Sequence, residues 1–164
     1  MRLPDLSFYL DGGCLVILTV GNTLRSDDGA GPYMASKLHS ASNVKIIDGG
    51  MHPENSIEQI TAWKPSIILI IDAADFGGGA GEVRIIESEA IPENSLSTHA
   101  ISLKVIAKIL NDDIGAKIIF IGIQPKDVSF GEGLSPEVKT ASDELVEWMN
   151  RQLLTKKERD MNHA

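Results

Sequence analysis

The sequence predicts a single three-layer α/β/α domain built on a mixed, mostly parallel five-stranded sheet. Three observations carry that expectation. Five short, β-branched segments are apolar on both faces, as strands covered by helices on both sides must be. Apolar residues recur at helical spacing between those segments. One connection, Ala73 to Glu82, is too short and too rich in glycine to hold a helical crossover. A length of 164 residues suits one domain, and 43% hydrophobic with 23% charged residues supplies a core while excluding disordered and fibrous classes. The domain is expected over 1–155, with 156–164 as a solvated, flexible tail.

The strands are expected at 15–20, 44–47, 67–71, 83–87 and 118–123, each bounded by glycine, proline or aspartate. Ala30, Tyr33, Met34 and Leu38 mark a first helix. Ile57, Ile60 and Trp63 mark a second, and Leu103, Ile106, Ala107 and Leu110 a third. Ser135 and Pro136 supply an N-cap and a first-turn proline for a final helix whose buried stripe runs through Val138, Ala141, Leu145, Trp148 and Leu153. The glycine-rich connection makes the fourth strand antiparallel to the third.

Fifteen basic against twenty-three acidic side chains leave a net charge of −8, which disfavours a nucleic-acid partner. Cys14 has no cysteine to pair with and lies in an apolar run, where a buried, inert thiol is expected. The N-terminus lacks an apolar stretch of signal-peptide length, and the longest apolar runs are too short to span a bilayer. The expected location is the cytoplasm, with no membrane insertion.

In open α/β sheets the usable crevice lies beyond the carboxyl ends of the parallel strands. There the chain places Gly21-Asn22-Thr23-Leu24-Arg25-Ser26-Asp27-Asp28-Gly29, then Asp48-Gly49-Gly50, then Asp72-Ala73-Ala74-Asp75. A backward fourth strand requires the following loop to return to this edge, which brings His99 beside the aspartates. Asp28, Asp72 and His99 then form a two-carboxylate, one-imidazole set suited to a divalent zinc or nickel ion. Taken singly, each has a plainer role: Asp27 or Asp28 as a helix cap, Asp48 and Asp72 as turn initiators, His99 as a surface residue. There is no Gly-x-Ser-x-Gly elbow, Walker loop or Cys-x-x-Cys. A Rossmann-like binder of a dinucleotide or S-adenosylmethionine, using Asp48, stays open. So does a non-catalytic assembly factor for a metalloenzyme.

The run Gly-Asn-x-Leu-x-x-Asp-Asp-Gly-x-Gly-Pro at 21–32 resembles the opening signature of nickel-iron hydrogenase maturation endopeptidases. Asp48-Gly49-Gly50, Pro53-Glu54-Asn55, Ile71-Asp72-Ala73, Gly81-Glu82-Val83-Arg84, Thr98-His99 and Gly122-Ile123-Gln124-Pro125 follow in the family's order. The Gly-Ile-Gln-Pro element and the paired aspartates look closest to the branch serving hydrogenase-3-type or energy-converting hydrogenases. The resemblance covers about 15–148. It implies an aspartyl-type endopeptidase that removes the C-terminal extension of a hydrogenase large-subunit precursor after nickel insertion. It also implies that Asp28, Asp72 and His99 are the catalytic and metal-contacting residues. Nickel is then supplied by the substrate, and no organic cofactor is involved. Asp27 or Asp75 would be the base if a metal-activated water attacks. Gly77 to Gly79 would form a flexible flap, Asn22 would bond across its turn, and Met51, His52 and Phe76 would line a substrate groove.

Overall fold

A computed structural model describes residues 13–91 and 102–162. Five strands, β1 (Leu15–Thr19), β2 (Val44–Asp48), β3 (Ile67–Ala73), β4 (Val83–Glu87) and β5 (Lys117–Ile123), form one sheet in the order β2-β1-β3-β5-β4. All neighbours are parallel except β4, which runs against β5. Four helices accompany them: α1 (Ala30–Ala35), α2 (Ile57–Trp63), α3 (Leu103–Ile114) and α4 (Pro136–Asn162).

The doubly apolar strands divide their side chains between two cores, because successive residues of a strand point to opposite faces. Leu15, Ile17, Leu69, Ile71, Ile119 and Ile121 pack against Met34 of α1 and Val138, Leu145 and Met149 of α4. Val16, Leu18, Ile68, Ile70, Ile118 and Phe120 pack against Ile60 of α2 and Leu103, Ile106 and Leu110 of α3. Helices therefore cover both faces, giving the three-layer α/β/α domain that the strand pattern requires.

Two expectations change. The fourth strand does run opposite to the third, but β5 is inserted between them, and the ladder is β4 with β5. A short connection sets a strand's direction without saying which strand will later fill the gap. The final helix also runs beyond its apolar stripe: the backbone stays helical to Asn162, since the stretch has no glycine or proline to stop it. Cys14 is free and half-buried, lying one residue before β1 begins.

Two glycines allow the close approaches at the end of β1. A Cβ on Gly21, whose φ is 150°, would collide with the carbonyl oxygen of Asp28. A Cβ on Gly31 would collide with that of Val20, so α1 rests directly on the strand end. The chain leaves β1 on one side for β2 and returns on the other as β3, which puts a topological switch point between β1 and β3.

Candidate functional site

Asp28 and Asp72 meet at that switch point. Asp28 comes from a 3-10 turn, Ser26–Gly29, between β1 and α1, and Asp72 is the penultimate residue of β3. The turn around Asp28 is closed by Asn22, whose N–H reaches the Asp28 carbonyl at 3.1 Å and its Oδ2 at 3.1 Å. The Asn22 side chain in turn accepts from Leu24 N–H at 2.9 Å, the cross-turn bonding expected of it. Asp28 is 5% exposed and Asp72 is 0% exposed.

Asp72 is the unusual group. Neither of its carboxylate oxygens has a partner in hydrogen-bonding geometry among the described residues, although both are buried. Burial lifts its carboxyl well above the ordinary carboxylate range, the nearby charge of Asp28 lifts it further, and the adjoining Ala73 amide opposes them only weakly. Burying a polar group without a partner is costly, so such a group calls for an explanation beyond the fold.

Asp27, one residue before Asp28, has the opposite environment. It is fully buried, and its carboxylate accepts four hydrogen bonds. Lys126 N–H and Asp127 N–H reach Oδ2 at 2.9 and 3.0 Å, and the Ser135 hydroxyl reaches it at 2.9 Å. Ser135 N–H reaches Oδ1 at 2.6 Å. Asp27 also donates its own N–H to Asp127 O at 3.0 Å. It fastens the β5–α4 loop to the turn carrying Asp28. With its lone pairs so engaged, it is poorly suited to take a proton from water, and the expectation that it serves as a base is set aside. Ser135, expected as a helix cap, gives its hydroxyl to the same clasp.

Asp75 is also poorly suited to be a base. Its Oδ1 accepts from Gly77 N–H at 3.0 Å and Gln124 Nε2 at 3.1 Å, and these bonds hold its carboxyl below the usual range. Gln124 is the residue whose role the sequence left unassigned. Nearly buried, it accepts from Phe76 N–H at 2.9 Å and Gly78 N–H at 3.1 Å. Gly79 N–H is taken by Glu82 at 3.1 Å. The glycine flap is thus pinned along its length. The sequence signals for Gln124 were its place in the Gly-Ile-Gln-Pro element and a polar residue just past an apolar strand, neither of which told its task.

Of the expected groove residues, Met51 is 44% exposed, and His52 is exposed with its Nδ1 3.2 Å from Glu54 Oε1. Phe76 instead packs on the second core, with the Arg84 guanidinium 4.4 Å above its ring. Asp48 closes its own turn through Oδ1, which accepts from Gly50 N–H at 3.0 Å and from the Thr19 hydroxyl at 3.4 Å. His99 lies outside the described residues, as does most of the loop leading to it. Among the described residues no three His, Cys, Asp or Glu side chains group to hold a metal ion, and no helix is long and apolar enough to cross a membrane.

Comparison with known proteins agrees with this architecture. A family model described as hydrogenase maturation protease, HycI, matches residues 32–152. The hydrogenase 3 maturation protease of Escherichia coli K12 is 41% identical over 135 residues, covering 80% of this chain and 86% of that protein. The crystal structure of a NiFe hydrogenase maturation protease HycI from Thermococcus kodakarensis KOD1 superposes with a TM-score of 0.81 at 30% identity, over 90% of this chain and 97% of that one. The solution structure of an endopeptidase HycI from Escherichia coli gives 0.74 at 39% identity, over 84% and 89%.

Proposed function

Because this chain belongs to the hydrogenase maturation protease family, it is a peptidase, and we propose that it trims the C-terminal extension of a nickel-iron hydrogenase large-subunit precursor after nickel insertion. The precursor carries the nickel, no organic cofactor takes part, and the encounter occurs in the cytoplasm. Asp28, Asp72 and His99 contact the substrate's nickel, which makes the enzyme aspartyl-type in the sense that carboxylates form its site.

One observation carries this assignment: Asp72 is buried beside Asp28, and neither of its oxygens has a hydrogen-bond partner among the described residues. A proton or a cation would satisfy a carboxylate so placed. Without substrate, the raised pKa favours the proton; an arriving divalent ion displaces it and takes up the lone pairs. Carboxylate oxygens and an imidazole nitrogen are donors that nickel accepts. The ion, brought close to the scissile bond, supplies Lewis-acid polarisation of its carbonyl. His99 enters through the family resemblance. Its inclusion is supported by α3: the helix ends three residues before β5 starts, so its C-terminus lies at the amino edge of the sheet. Its other end lies about 18 Å away, toward the carboxyl edge.

The test is processing of purified precursor. Nickel-loaded large subunit is expected to shorten while nickel-free precursor stays intact, and equal cleavage of both would remove the nickel-recognition step. Asp28→Ala, Asp72→Ala and His99→Ala are each expected to abolish shortening while keeping the circular dichroism spectrum. Undiminished processing by all three rejects the site.

A further inference from the structure

We propose that Phe130, together with Leu24, forms a preordered apolar anchor that docks an apolar recess of the hydrogenase large-subunit precursor beside Asp28, a proposal that rests on the function given above. Phe130 is 86% exposed and Leu24 47% exposed, and both stand on loops at the carboxyl edge of the sheet. A single exposed apolar side chain is ordinary. What sets this pair apart is the backbone beneath it.

Phe130 is held on both sides. The Ser26 hydroxyl donates to Ser129 O at 2.8 Å, and Ser129 N–H donates to Asp127 Oδ1 at 2.8 Å. On the other flank Gly131 N–H donates to Leu24 O at 2.8 Å, while Ser26 N–H donates to Gly131 O at 2.8 Å. Arg25 Nε reaches Val128 O at 3.2 Å. The Asp27 clasp closes the base of the same loop. An aromatic residue on a slack loop would fold onto the nearest apolar surface; here the tethers keep the ring in water. Aromatic side chains dominate the energetics of protein interfaces, and presenting one on an ordered backbone removes much of the entropy cost of binding.

Position names the occupant. Leu24 is four residues from Asp28, and the bonds that order Phe130 end on the stretch Leu24 to Asp27. A polypeptide that delivers a cation to Asp28 and Asp72 must lie against this rim. A second copy of the chain seated here would cover the very edge that has to admit substrate. The chemistry that fits is an apolar recess on the precursor.

Phe130→Ala is the probe, because a side chain this exposed contributes little to folding. With nickel-loaded precursor the variant is expected to raise KM at least about tenfold, the scale of an interface hot spot. Its kcat at saturation should stay within about twofold of wild type and its melting temperature should not move. Phe130→Tyr should restore KM, and Leu24→Ala should give a smaller rise in the same direction. An unchanged KM in the Leu24→Ala/Phe130→Ala double variant overturns the anchor while leaving the proposed function standing. A wild-type dimer in sedimentation velocity that becomes monomer in Phe130→Ala overturns it in favour of self-association. Failure of the wild-type protein to shorten the precursor strikes the function itself.

Discussion

Asp27 and Asp72 are both fully buried carboxylates at the same edge of the sheet, and their surroundings are opposite. Four donors from the β5–α4 loop converge on Asp27. At Asp72 no donor among the described residues meets hydrogen-bond geometry, and a second carboxylate stands nearby. The first arrangement turns a buried charge into a fastener. The second leaves an unmet demand at the switch point of the sheet. A buried acid therefore has no fixed meaning: its partners decide whether it supports the fold or weakens it for the sake of function.

The contrast can be pressed by mutation. Asp27→Ala strands four donors at once and is expected to cost about 3 kcal/mol or more, a fall in melting temperature on the order of 10 °C that calorimetry would register. Gln124→Ala frees Phe76 and Gly78 N–H and should cost about 1–2 kcal/mol, with faster hydrogen exchange confined to those amides and their neighbours. Asp72 should respond to pH in the reverse sense from an ordinary paired acid. Its folded pKa lies above the unfolded value, so the folded state holds the proton longer; stability is greatest in acid and falls as pH rises through the folded value. The gap in melting temperature between wild type and Asp72→Asn should accordingly widen from about pH 4 upward.

The smallest effect belongs to the surface cluster joining α1 to α4. Asp143 accepts from the Tyr33 hydroxyl at 2.6 Å, Lys139 at 2.9 Å and Lys37 at 3.2 Å, which lowers its pKa to about 2. Its contribution is present above the ordinary aspartate value and fades as pH falls toward 2. Because these groups are well exposed, Asp143→Ala should cost less than about 1 kcal/mol, and added salt should shrink the difference.

Much of this was legible in the residues. Strand positions followed from runs such as Leu15 to Val20, because a strand covered on both faces cannot alternate polar with apolar residues. The reverse direction of β4 followed from its glycine-rich approach. Its partner did not, since the insertion of β5 between β3 and β4 is decided by packing between residues far apart in the chain. The carboxyl edge pointed to Asp28 and Asp72 together. The pair Asp27-Asp28 gave no sign that Asp27 fastens a loop, because that depends on the N–H groups of Lys126, Asp127 and Ser135, about one hundred residues away. The Gly-Ile-Gln-Pro element marked Gln124 without telling its task, since the amides it accepts from, at Phe76 and Gly78, are backbone groups that carry no residue identity.

In the proposed function, the Asp72 carboxylate, which has no partner among the described residues, receives a cation that the precursor brings. Asp72→Asn tests it most directly, with melting temperature and processing of nickel-loaded precursor measured on one preparation at pH 7. The melting temperature is expected to rise by at least about 2 °C, since a buried acid beside a second acid has been neutralised, and precursor shortening is expected to be lost. A melting temperature that falls, or shortening at the wild-type rate, would contradict it.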